Sequence, residues 1–155
     1  MKNSKYCLSL ILSFIAFSAS AETDENREFL TFLEDEWQFE LSQSPVYATA
    51  MGVKGYETLW RDNSLEAIEA RRSHNKNTVE ALKGFEKENL SKANQLNLRL
   101  FTDLAKKEVE IAQFNRHLLP FNHRGGIQLA HEDAENLPFK NPQDYRFWIE
   151  RLKNL

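Results

Sequence analysis

An all-α fold, with several long amphipathic helices in a bundle-like array, is what this 155-residue chain predicts. Three observations point there. Large apolar residues recur at three- and four-residue spacings over long stretches. Helix-start signals stand before those stretches, as Ser44-Pro45, Ser64, Ser91 and Asn141-Pro142. The composition, 41% hydrophobic and 12% aromatic, supplies enough large side chains for a packed core. Net charge is -3 with mixed signs throughout, so there is no basic footprint and nucleic acid is not expected as a partner.

Residues 1–21 read as a secretory signal rather than as fold. Lys2 and Lys5 form a positive start, an apolar run extends from Tyr6 to Phe17, and Ser18-Ala19-Ser20-Ala21 offers the small residues a signal peptidase needs. The run is short of the ~20 residues that span a bilayer, so a cleaved signal is preferred to an uncleaved anchor. Cys7, the single cysteine, leaves with the signal. It follows Lys5-Tyr6, not the small residues that precede a lipid-modified cysteine. The expected mature segment, 22–155, then has neither disulfides nor a thiol nucleophile. It is expected to be periplasmic or secreted, with no membrane attachment after cleavage.

The first helix is expected over Glu22–Leu41, with Phe29, Leu33, Trp37 and Leu41 as its stripe, Leu30 beside them, and Phe32 and Phe39 widening the buried face. Asp24, Glu25 and Glu28 stand near its positive end. Ser44 then caps a short helix, Val46 to Met51, with Pro45 at its first position and Gly52 at its stop. Val53 to Asp62 lacks helical period and is expected to be an ordered loop whose aromatics, Tyr56 and Trp60, pack back on the helices.

A helix from Leu65 to about Glu88 follows, with Leu65, Ile68, Val79, Leu82 and Phe85 on one side and Arg72 and Asn75 interrupting them. Arg71, Arg72 and His74 either bind an anionic group or pair with Glu66 and Glu69 on a wet face, the second being the commoner arrangement. Ser91 caps the next helix, Lys92 to about Arg116, with Leu100, Phe101, Leu104, Ile111 and Leu118 on one side. Glu108 falls on that same stripe, where a carboxylate would need a partner if buried. It is read as a structural ion pair or an edge residue, with a functional acid as the alternative.

Pro120 and Gly125-Gly126 break the helical pattern, and residues 127–140 have no steady period. Asn141-Pro142 caps a last helix, Gln143 to the end, carrying Tyr145, Trp148, Ile149, Leu152 and Leu155. Its apolar face needs cover, from the remainder of a longer chain or from self-association through this helix.

Catalytic motifs are the weak part of the sequence. His117, His123, His131 and Glu132 are the one local set resembling metal ligands, but their spacing fits no zinc pattern. His131-Glu132-Asp133-Ala134-Glu135 starts like H-E-x-x-H, with Glu135 where the second histidine must be. No H-E-x-x-H, no phosphate loop and no G-x-S-x-G occurs in the chain. No catalytic, cofactor-binding or metal-binding residue is assigned.

The run Phe29-Leu30 … Glu36-Trp37 … Ser44-Pro45 … Ala48-Thr49 … Gly52 … Tyr56 … Trp60 … Asp62 … Ser64 resembles the start of the bacterial domain-of-unknown-function family eight-eight-five. Leu118-Leu119-Pro120 with Asn122 and Gly126, and Tyr145 … Trp148 … Arg151-Leu152, continue the resemblance. Members of that family look like relatives of the gluzincin zinc peptidases: mostly helical, often exported, several times longer, with a zinc motif far towards the C-terminus. The resemblance implies an N-terminal segment of a larger helical domain, one wall of a peptidase cleft, inactive alone. Zinc and a peptide substrate are expected only in a full-length relative, and no cofactor in this chain. Asn122, His123 and Gly126 are candidate cleft-lining residues there and structural here. The alternative is a small non-enzymatic periplasmic helical binding or assembly module.

Overall fold

The computed structural model describes residues 24–119 and 126–155. The expected signal at 1–21, and Pro120, Asn122, His123 and Gly125, lie outside the described residues. Five α-helices carry the fold: α1 (Asp24–Gln43), α2 (Pro45–Ala50), α3 (Leu65–Leu82), α4 (Lys92–Ala112) and α5 (Pro142–Lys153). No strand occurs among the described residues, so the all-α expectation holds. None of these helices is long and apolar enough to cross a membrane.

The apolar core lies where α1, α3 and α4 meet. Phe29, Leu82, Leu90 and Ala105 are its buried members, flanked by Phe32, Leu33, Val79, Phe85, Leu98 and Phe101. Phe29 is fully buried, and the Phe85 ring meets it edge-on at 5.1 Å. Burial of a side chain this size stabilises by about 1.5–3 kcal/mol, so packing holds these helices rather than propensity.

Polar contacts pin the same helices in register. Asn26 Oδ1 accepts from the Ser91 N–H (3.0 Å) and from Asn94 Nδ2 (2.9 Å), both asparagines being buried. Glu25 accepts from the Glu86 N–H and from Asn89 Nδ2, so an acid that favours the helix start also fastens it to the α3–α4 turn. Glu36 on α1 accepts from buried Thr78 Oγ1 and faces His74 Nε2, each at 3.0 Å, and Phe39 stacks on the His74 ring at 3.5 Å.

Several expected faces differ from those that are buried. α3 stops at Leu82, six residues before the expected Glu88, because Lys83 and Gly84 close the last turn with bonds to Glu80 and Ala81 carbonyls. That turn swings Phe85 back onto Phe29 and Phe32. Leu65, expected in the stripe, is exposed. On α4 the packed row is Asn94, Leu98, Phe101 and Ala105, at spacings of four, three and four. Leu96, Leu100 and Leu104 form the adjacent row and are exposed, as are Leu118 and Glu108. Glu108 therefore carries no burial cost. α4 ends at Ala112 instead of Arg116, and Asn115 adopts left-handed backbone (φ 48°) before the short 3₁₀ turn Arg116–Leu118. Asparagine tolerates that conformation better than most L-residues. On α1, Trp37 and Leu30 are exposed, Trp37 lying edge-on to Tyr47.

Ser64 and Ser91 cap α3 and α4 as expected, accepting from the N–H groups of Ala67 and Asn94. Ser44 stands at the cap position of α2, but its hydroxyl donates to Glu40 Oε1 rather than capping. Gly52 (φ 81°) supplies the left-handed stop. α5 starts with a full capping box between Asn141 and Asp144. The N–H of Lys140, then those of Asn141, hold the Asp144 carboxyl below the usual range. Residues 127–140, which have no 3.6-residue period, contain a ten-residue 3₁₀ helix, Ile127–Asn136.

Candidate functional site

Two adjoining depressions, of about 770 and 1000 Å³, share Arg61, Asn63, Ile68 and His117 and form one cleft. One side is the start of α3 and the loop before it. The other is the C-terminal end of α4 with its 3₁₀ turn. The long 3₁₀ helix and the last residues, Asn154 and Leu155, close the far end. Gly126 lines this end, with φ 130°, a conformation suited to glycine.

The 3₁₀ geometry explains how one segment forms that wall. At three residues per turn, residues three apart eclipse. Gly126, Leu129 and Glu132 make one row and Ile127, Ala130 and Asp133 the next, and both rows line the cleft. Burial raises the pKa of Asp133 above the ordinary carboxylate value, and the Glu132 charge adds to this while Arg151 opposes it.

Cations dominate the other lobe. Arg71 Nη1 donates to the Asp62 carbonyl (2.8 Å) and to Gln43 Oε1 (3.3 Å). Burial lowers the Arg71 pKa, and the nearby Arg61 charge lowers it further. Arg72 Nη2 donates to the Ala112 carbonyl (3.0 Å) and Asn115 Oδ1 (2.8 Å), 3.5 Å from His117 Nδ1, and its Nη1 lies 3.6 Å from Glu69. The expected Arg72–Glu69 pair is present, whereas Arg71 turns to α1 and the loop and His74 to Glu36. Two N–H and O–H contacts from Ser64 hold Asp62 below the usual carboxylate range, with Arg71 assisting.

Behind the cleft wall sits a guanidinium that sequence reasoning named only as part of the family resemblance. Arg151 on α5 is fully buried. Its Nη2 donates to Thr49 Oγ1 and to the Tyr56 carbonyl, and its plane centre lies 5.9 Å from the Trp60 ring. Trp60 Nε1 donates to the Arg151 carbonyl at 2.6 Å and the Trp60 and Trp148 rings meet at 6.1 Å. Nε and Nη1 of Arg151 are buried without hydrogen-bond partners. Burial lowers its pKa, and Asp133 and Glu57 counteract that. A usable signal existed: Phe147, Trp148 and Arg151 share one face of α5 at helical spacing, and this face is the one turned inward. Of the expected face, Trp148 is half-buried whereas Tyr145, Ile149, Leu152 and Leu155 are exposed, with Phe139 stacked on Tyr145 at 4.6 Å.

The metal-like set does not assemble among the described residues. His117 points to Arg72, His131 and Glu132 are exposed, and no group of three His, Cys, Asp or Glu side chains converges there. With Glu135 at the second-histidine position, the donors of this segment do not fit zinc.

The profile of a bacterial family described as "Bacterial protein of unknown function (DUF885)" matches residues 45–155. The chain belongs to this family. No curated protein matches it, and no solved structure does. The DUF885 match starts at α2, so it takes in the Arg151 cluster and most of the cleft lining, while α1, which adds Phe39, Glu40 and Gln43, precedes it. Thr49, Tyr56, Trp60, Trp148 and Arg151, spread over the DUF885 segment, meet in this one cluster.

Proposed function

We propose that the chain is the N-terminal helical segment of an exported, zinc-metallopeptidase-like protein. In this reading it forms one wall of a peptide cleft, has no hydrolytic activity of its own, and works in the periplasm or outside the cell. The cleft between α3, α4 and the long 3₁₀ helix carries the reading: it is large enough for a peptide segment and has an unpaired apolar rim beside it. Family membership supports the larger framework, and the signal-like residues 1–21 support export. In this reading zinc is held by other parts of such a protein, and no chemical step is assigned to these residues.

The exposed rows on α4 (Leu96, Leu100, Leu104) and α5 (Tyr145, Ile149, Leu152) fit burial against the remainder of such a protein. They also fit a self-associating helical module without activity, the second reading. The coding sequence downstream and a peptide-hydrolysis assay with added zinc test both. Expected is an H-E-x-x-H downstream, activity in the extended chain and none in residues 22–155. Zinc-dependent hydrolysis by residues 22–155 alone would overturn the reading. A monodisperse, cooperatively melting dimer of that segment, with unrelated sequence downstream, would favour the second.

A further inference from the structure

The cation-rich lobe of the cleft has a specific complement. Arg61, Arg71, Arg72 and Arg116 line it, against the carboxylates Glu40 and Glu108. These cations are not equivalent. Arg72 is consumed by the α4 carbonyl, Asn115 and Glu69. Glu40 is engaged by Ser44. Arg71 is half-buried and hydrogen-bonded by a carbonyl and an amide oxygen, both on Nη1, with the Asp62 carboxylate near enough to offset part of its charge. One edge of its fork is thereby fixed, and the hydrogen bonds it makes among the described residues use that edge. Arg61, close enough to repel Arg71, and Arg116 are exposed members of the same lining. Bringing like charges together disfavours the empty groove, and an oxyanion between them relieves it. Arginine's planar fork suits a two-oxygen anion better than a point charge. The lobe also has apolar lining, Ile68, Ile111 and Leu119, which a bare inorganic ion would leave unused.

We propose that this lobe binds the free C-terminal carboxylate of a short apolar peptide, with Arg71 as its anchor and Arg61 and Arg116 flanking it. The apolar side chain next to the carboxylate lies on Ile68 and Ile111. The word peptide rests on the cleft-wall reading above; the carboxylate rests on the groove alone.

The test is a binding titration, by nuclear magnetic resonance, of the purified chain with N-acetyl-Leu-Leu as the free acid, with its C-terminal amide, and with inorganic phosphate. Expected is saturable binding of the acid, weakened about tenfold or more in the amide and in Arg71→Gln, as loss of a charge-assisted hydrogen bond implies. Arg61→Gln, at an exposed position, weakens it by about threefold and leaves the circular dichroism unchanged, so it serves where Arg71→Gln fails to fold. Equal binding of acid and amide, binding unaffected by Arg61→Gln, or phosphate binding as tightly as the acid would each overturn the assignment. Because the readout is binding and not turnover, a chain without hydrolytic activity can still support it. A failed titration, conversely, leaves the zinc reading to its own assay.

Discussion

Phe29 and Arg151 are both removed from solvent, and they organise opposite ends of the molecule by opposite means. Around Phe29 the neighbours are apolar and aromatic, and any of them is replaceable by something of similar volume at modest cost. Around Arg151 the neighbours are a hydroxyl, a backbone carbonyl and an indole face, with two guanidinium nitrogens left without partners. The first centre gains free energy from burial. The second must offset the desolvation of a charge that arginine does not lose at ordinary pH. What it gives in return is geometry, since one side chain ties α2, the 53–62 loop and α5 together and backs the cleft wall. Stability and positioning are thus assigned to separate clusters.

The largest expected effect is at the apolar centre. Phe29→Ala should lower unfolding free energy by about 3–5 kcal/mol, measured from urea denaturation curves, because the site cannot collapse between three helices. A loss near 1 kcal/mol would mean that α1 is not integral to the core. Arg151→Ala follows. It strands the Tyr56 carbonyl and leaves a void, so a loss of about 2–4 kcal/mol is expected. Arg151→Met is the sharper variant: it fills the volume without a buried charge and should stay within about 1.5 kcal/mol of the parent chain. If methionine costs as much as alanine, the guanidinium is a net stabiliser and the contrast with Phe29 fails.

The smallest effect concerns Asp133, and its sign is set by its raised pKa. The folded chain resists ionising this carboxyl, chiefly through burial. Its contribution is therefore most favourable when protonated, and it declines as pH rises from the unfolded value, about 3.9, through the higher folded one. Asp133→Asn should match the parent below that window and melt at a higher temperature above it. A variant that is less stable at neutral pH would show that attraction to Arg151 outweighs desolvation.

How much of this was legible in the sequence follows the same division. Apolar spacing located α1, α3, α4 and α5, Ser44-Pro45 with Gly52 located α2, and Ser64, Ser91 and Asn141 marked three starts correctly. On α4 the spacing was right about Phe101, which packs on the core, and misjudged Leu100 and Leu104, which belong to an adjoining exposed row as regular as Leu98, Phe101 and Ala105. Helix ends were overrun where local chemistry decides: Gly84 after α3, and Asn115, held left-handed with Arg72 on its side chain, after α4. Arg71, Arg72 and His117 were singled out singly or in pairs but the cleft they line was not, since they and Arg61 and Arg116 come from different segments and no local spacing joins them. Arg151 was named in the family resemblance, but its burial was hidden by its type, as a lone arginine on a helix ordinarily faces water.

The Ile127–Asn136 segment has one more consequence, which is reach. Ten residues rising ~2.0 Å each extend ~20 Å, whereas the same ten wound as an α-helix would extend ~15 Å. The segment thereby covers more distance between Gly126 and Leu137 than an α-helix of the same ten residues would. Rewinding would also turn Asp133 by roughly a third of a revolution relative to Ile127, since six steps of ~100° replace six of ~120°. A cleft wall set by a three-residue hydrogen-bond register is therefore sensitive to changes that leave every side chain in place and alter only which carbonyl each amide finds.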